Sequence, residues 1–182
     1  MVRKDFKNLR VVTGRVRFHY VNLFEPREGF GGSTPKYGMC VMVSKGDVET
    51  LDNINRAIET ALQVGEEIWA GKNLDNLIVP LRDGDLERTD KPEFEGCYFL
   101  NATSKYMPEV VDDCCQLILN PEEVYSGCYG RVAIRFFPYN RDGKLGVGCC
   151  LHNVQKLEDG ERLAVKISAL EDFGEVDRDI FF

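Results

Sequence analysis

The sequence predicts a mainly β protein: a small Greek-key barrel of five to seven strands with one main inserted helix. Three observations predict it. Aromatic residues crowd two segments, with six in residues 1–45 and nine in residues 94–139, while residues 46–93 hold only Trp69. Flat rings suit pleated, half-buried surfaces, so the aromatic-rich segments read as the β framework. Period-two alternation recurs in those segments, and the aromatic-poor stretch shows helical spacing instead.

The elements follow in order. Arg10 to Phe24 reads as a long strand in which Val16, Phe18 and Tyr20 alternate with Arg15, Arg17 and His19. Gly14 allows a kink or bulge near its start. Glu25 to Pro35, with two Pro and three Gly, reads as a flexible loop. Lys36 to Lys45 is a second strand, with Tyr37, Met39, Val41 and Val43 on one face and Lys36 and Gly38 on the other.

Asp47 has the chemistry of an N-cap. Val48, Leu51, Ile54, Ile58, Ala61 and Leu62 recur at helical spacing, and the helix is expected to run to Trp69, with Gly71 ending it. Residues 72–93 read as mostly loop. Glu95 to Ser104 is a third strand, Gln116 to Leu119 is short and apolar, and Val124 to Tyr139 is a further strand. Asn140-Arg141-Asp142-Gly143 signals a hairpin whose returning strand spans Lys144 to Lys156. This order of elements fits an OB-fold-like barrel. The expected organisation is a single domain over residues 1–170, with the helical insertion at about 47–71, and an acidic C-terminal tail over 171–182.

The 182 residues are 43% hydrophobic and 29% charged, which suits one well-packed domain. No apolar run reaches the roughly 18 residues of a membrane span, and no apolar stretch follows the basic N-terminus as in a secretory signal. A cytoplasmic protein without membrane contact is expected, as a monomer or homodimer. Its seven Cys include no C-x-x-C, so reduced, mostly buried thiols are expected and no metal site.

The net charge of −7 argues on its face against a nucleic-acid binder. Its distribution argues the other way. Residues 1–45 hold nine Lys and Arg against three acids, net +6, which leaves −13 for the rest. On Tyr129 to Tyr139, one face presents Tyr129, Arg131, Ala133, Arg135, Phe137 and Tyr139, and the other Gly130, Val132, Ile134 and Phe136. The first face mixes cations with rings. Single-stranded nucleic acid needs that mixture, because bases stack on rings and guanidiniums hold phosphates. Arg15, Arg17, Arg27, Lys36, Lys105, Tyr106 and Tyr125 are the candidates that widen the groove.

The segment Glu171 to Phe182 carries five acids and one Arg and ends on Ile180-Phe181-Phe182. Asp177, Asp179 and these apolar residues suit capture by a partner with an apolar pocket and a basic rim. Enzyme chemistry is thin. His19 and His152 belong to no nucleophilic or metal motif. Asp83, Asp85 and Glu87 offer one alternative, a metal-dependent nuclease. An acidic module that mimics DNA is the other.

Several ordered stretches carry a resemblance to a known family. They are Val16-Arg17-Phe18-His19-Tyr20-Val21-Asn22-Leu23-Phe24-Glu25-Pro26, Pro35-Lys36-Tyr37, Lys45-Gly46-Asp47 and Pro80-Leu81-Arg82-Asp83-Gly84-Asp85. Gly96-Cys97-Tyr98-Phe99-Leu100-Asn101-Ala102, Tyr125-Ser126-Gly127-Cys128-Tyr129 and Asn140 to Val147 complete the set. Together, from about Val11 to Leu163, the chain resembles the single-stranded-DNA-binding proteins of tailed phages and prophages. The resemblance implies an OB-fold, sequence-tolerant binding of single-stranded DNA in phage replication or recombination, no catalysis and no cofactor. The acidic tail is similar to those that other such proteins use to recruit replication enzymes.

Overall fold

The computed structural model describes residues 6–28 and 34–163. The tail expected at 171–182, with Asp177, Asp179, Ile180, Phe181 and Phe182, lies outside the described residues. The strands are β1 (Arg10–Val12), β2 (Val16–Arg27), β3 (Lys36–Ser44), β4 (Arg82–Asp83), β5 (Cys97–Ser104), β6 (Glu109–Val111), β7 (Tyr129–Arg141) and β8 (Lys144–Glu158). The helices are α1 (Val48–Gly65) and the single turn α2 (Gly84–Glu87).

Five strands close on themselves. β2 pairs with β3, β3 with β5, β5 with β8, β8 with β7, and β7 returns to β2. Only the β5–β8 contact in this ring is parallel. That closure is the OB-like Greek-key barrel, joined most sparsely where β5 meets β8 at Thr103 and Cys150. Its interior holds Phe18, Val41, Leu100, Ile134, Phe136 and Leu151, each 1% exposed or less.

Helix α1 brings Ile54, Ala57, Ile58 and Ala61 into the same core. Asp47 caps it as expected, accepting from the Thr50 amide at 3.1 Å. Asp47→Ala is expected to cost about 1 kcal/mol, read as a lower urea midpoint at unchanged slope. The helix stops at Gly65 rather than Trp69. Trp69 folds back so that its ring fills the space a Gly65 side chain would need, and its indole donates to the Tyr139 carbonyl at 2.9 Å.

The expected first strand is two collinear strands. Both β1 and β2 pair with β7, on either side of a break at Thr13–Arg15. The break is anchored: the Gly14 amide donates to Thr50 Oγ1 at 2.9 Å, and Arg131 Nε donates to the Thr13 carbonyl at 3.1 Å. β2 then runs through Pro26 to Arg27.

A second correction concerns Tyr20, expected beside Phe18 in the core. The β2–β3 register slips between His19 and Asn22, and Tyr20 takes φ 48°. This bulge exchanges the two faces: His19 is 3% exposed and Tyr20 41%. The second face of β3 is also covered further along. Cys40 and Met42 pack with Phe94 and Phe99 in a small outer cluster that Leu163 joins.

Residues 72–93 are mostly loop, but Arg82–Asp83 adds to β5. β6 is a short strand the alternation did not signal, and the stretch expected at 116–119 contributes one isolated bridge, Leu117 to Val111. β7 begins at Tyr129, not Val124, because Gly127 turns the chain at φ 122° against the Glu161 carbonyl. The hairpin is as expected: Asp142 and Gly143 both take positive φ, the twist that suits a two-residue connection. All seven cysteines are free, with Cys40, Cys128 and Cys149 buried. Cys114 and Cys115 are exposed, against the expectation of mostly buried thiols. No helix among the described residues is long and apolar enough to cross a membrane.

Candidate nucleic-acid interface

The structure divides the candidate residues into two surfaces. On one, Lys36, Lys105, Tyr106, Arg135 and Phe137 line a single cleft of about 310 Å³ with Thr103, Ser104 and Cys150. No acidic side chain is among these residues. Phe137 is 38% exposed and lies against Gly148 of β8, where any side chain would collide with the ring.

A second cleft of about 360 Å³ shares Lys36 and Thr103 with the first, so the two adjoin. Arg27, Tyr20, Asn22 and Asn101 line it, with Glu28 as its acid. Both clefts include residues of β3 and β5, the second and third strands of the closed ring, the first extending onto β7 and β8 and the second onto β2. In OB-folds the face of the second and third strands is a common oligonucleotide surface.

Cation placement is what sets this surface apart. Arg27 stands directly opposite Lys36 in the β2–β3 register, and Arg10 directly opposite Arg135 in the β1–β7 register. Like charges directly opposite one another are destabilising. None of these four side chains has an acidic partner among the described residues, and Lys105 has none either. The alternation argument did not find Arg10, because its register with Arg135 is a long-range fact. His152 senses that pair: burial lowers its pKa most, and Arg10 and Arg135 lower it further.

The other surface is already occupied by the chain itself. The Arg15 guanidinium pairs with Glu158 and sits 3.7 Å over the Tyr129 ring. Arg17 donates to the Glu161 carbonyl at 3.1 Å. The Tyr125 hydroxyl donates to Asp159 at 3.0 Å, and Arg162 covers its ring at 3.9 Å. Arg15, Arg17, Tyr125 and Tyr129 thus clamp the end of β8 and the residues after it. Arg131 is exposed and braces Thr13. Tyr139 is half-buried, with its hydroxyl against Gly146 and its carbonyl bound by Trp69.

The carboxylates of the nuclease alternative are committed elsewhere. Lys45 bridges Asp83 and Asp85, at 2.7 Å to each, and Glu87 pairs with Arg82. Asp83 also caps α2 by accepting from the Asp85 amide at 2.9 Å. The Lys45 hydrogen bond and that from the Gly96 amide hold Asp85 below the usual carboxylate range. This is a structural knot around a turn.

His19 stands behind the second cleft. Burial lowers its pKa, against an opposing hydrogen bond with Glu93 at 3.3 Å. The unfolded chain therefore binds more protons than the native one below about pH 6.5. The stability His19 confers is present above that pH and is lost as pH falls. Urea midpoints for His19→Gln are expected to fall less between pH 7.5 and 5.5 than those of the parent.

A closed Greek-key barrel with a cationic, ring-lined cleft on these strands defines an OB-type binding protein. The profile of the family described as Enterobacter phage Enc34, ssDNA-binding protein, matches residues 9–181, and the chain belongs to that family. It is a family of binding proteins, not enzymes. The chain is 27% identical over 179 residues to protein p50 of Acyrthosiphon pisum secondary endosymbiont phage 1, covering 92% of this chain and 94% of that one. Among solved structures, the single-stranded DNA-binding protein from bacteriophage Enc34 in complex with ssDNA superposes with TM-score 0.73 at 24% identity, over 87% of this chain and 91% of that one. Gp2.5, a single-stranded DNA-binding protein encoded by bacteriophage T7, gives TM-score 0.63 at 16% identity, over 88% and 95%. At these identities the two structures show a shared fold.

Proposed function

We propose that the chain binds single-stranded DNA without sequence specificity, in phage replication or recombination, and that the strand lies in the two adjoining clefts that meet at Lys36 and Thr103. The observation that carries this reading is the set of cations gathered along these clefts, none of them paired with an acid among the described residues. Arg27, Lys36, Lys105 and Arg135 hold phosphates, Arg10 adds charge beside Arg135 from outside the clefts, and Phe137 and Tyr106 offer rings to bases. Family membership supports it, as does the shared fold with the Enc34 protein solved in complex with ssDNA.

The test is fluorescence anisotropy of a labelled single strand and of its duplex across a salt series. Tight single-strand binding with a slope of about −0.7 per phosphate contact is expected, with weaker duplex binding. Absence of single-strand binding at low salt would overturn the proposal. Phe137→Ala is expected to weaken binding by about 1–3 kcal/mol with the salt slope unchanged. An unaltered affinity would remove Phe137 from the site.

The acidic, Phe-ended segment over 171–182 is proposed to recruit replication or recombination proteins. Its charge and apolar residues support that role. A chain without it is expected to keep strand binding and lose those associations. Loss of strand binding on truncation would contradict this reading.

A further inference from the structure

We propose that Tyr20 and Asn101 form a subsite for one unpaired nucleobase, in the cleft that Phe137 does not line. The inference rests on the single-strand reading above and adds a specific recognition element to it.

The starting point is the β2 bulge. Tyr20 takes φ 48°, a left-handed conformation that L side chains other than Asn and Asp seldom adopt. The conformation moves a large ring out of the barrel to 41% exposure. Unusual backbone held in place by its surroundings concentrates at ligand sites.

The surroundings do hold it. The His19 imidazole lies behind the Tyr20 ring, with centroids 3.8 Å apart and planes within 15°. Lys91 donates to the Tyr20 hydroxyl from the side. The ring is thus fixed on the wall of a cleft before any ligand arrives, which lowers the ordering cost of stacking a base on it.

The same cleft supplies the other groups a nucleotide needs. Asn101 is exposed on β5, in register with Cys40 of β3. Its carboxamide makes no hydrogen bond among the described residues, so it has both donors and acceptors to spare. An amide that can offer either is suited to the edge of any base. Lys36, opposite Arg27, stands on the same cleft for the phosphate.

The test compares Tyr20→Ala, Tyr20→Phe and Asn101→Ala by anisotropy, on an oligothymidine strand and on an abasic strand of equal length. Tyr20→Ala is expected to weaken binding to oligothymidine between about 5-fold and about 150-fold, with the salt slope unchanged and no loss on the abasic strand. Tyr20→Phe keeps the ring and is expected to bind within about twofold of the parent. Asn101→Ala is expected to lose about threefold or more on oligothymidine only. Should Tyr20→Ala fail to fold, the Asn101→Ala result decides. Parent-like binding by Tyr20→Ala, or equal losses on both strands, would overturn the subsite while leaving the single-strand reading intact. Failure of the parent to bind oligothymidine would overturn that reading instead.

Discussion

Replacing Lys36 and Arg135 together by glutamate is expected to cut single-strand affinity by roughly 100-fold at low salt, and to make the salt slope shallower by about 1.4. Both numbers follow from losing two phosphate contacts. The same double change is expected to leave thermal stability unchanged or raise it. Lys36 faces Arg27 and Arg135 faces Arg10, so each glutamate turns a like-charge pair into an ion pair, with roughly 0.2–1 kcal/mol at stake for each cross-strand pair. Affinity and stability thus move in opposite directions. A variant that merely damaged the fold would lose both. The control is Arg15→Glu with Arg17→Glu. Those cations are spent on Glu158 and the Glu161 carbonyl, so that pair is expected to lower stability with a smaller effect on binding.

Gly130→Val is expected to destabilise the barrel by about 3 kcal/mol, the upper end for overpacking. Gly130 pairs with Val16 across β2–β7 and with Lys156 across β7–β8. A side chain there would collide with the Gln155 carbonyl and with the Phe18 ring. Neither can yield cheaply. The carbonyl belongs to the bulged ladder that joins β7 to β8, and Phe18 is fully buried. Relief requires β7 to leave one of its neighbours, which opens the ring of strands. Urea unfolding of the variant measures the cost. A loss under about 1 kcal/mol would mean that the seam is looser than its geometry.

Local chemistry was legible in the sequence wherever it acts over a few residues. Asp47 caps α1, Asp142-Gly143 makes its turn, and β7 presents Arg135 and Phe137 outward with Ile134 and Phe136 inward. Lys36, Arg135 and Phe137 could be named because alternation says which face points out, and Lys105 and Tyr106 because they follow the end of a strand beside them. Alternation does not say what covers that face. Arg15, Arg17 and Tyr129 point outward as read, yet residues 158–163 return over them, and over Tyr125, from a distant part of the chain. Phe94 likewise covers Cys40 and Met42 from a turn that carries no strand signal. Tyr20 was misplaced for a different reason. One extra residue in a strand reverses every later face, and nothing in Phe18-His19-Tyr20-Val21-Asn22 marks the slip. Arg10 escaped notice because only strand register sets it opposite Arg135.

The central claim is that the strand follows the clefts of unpaired cations, not the clamp around Tyr129. Photo-crosslinking with a 5-iodouracil-substituted single strand, followed by peptide mass spectrometry, tests it most directly. Crosslinks on Tyr106, Phe137 and Tyr20 are expected. Crosslinks confined to Tyr125 and Tyr129 would contradict the account and would require residues 158–163 to move aside for DNA.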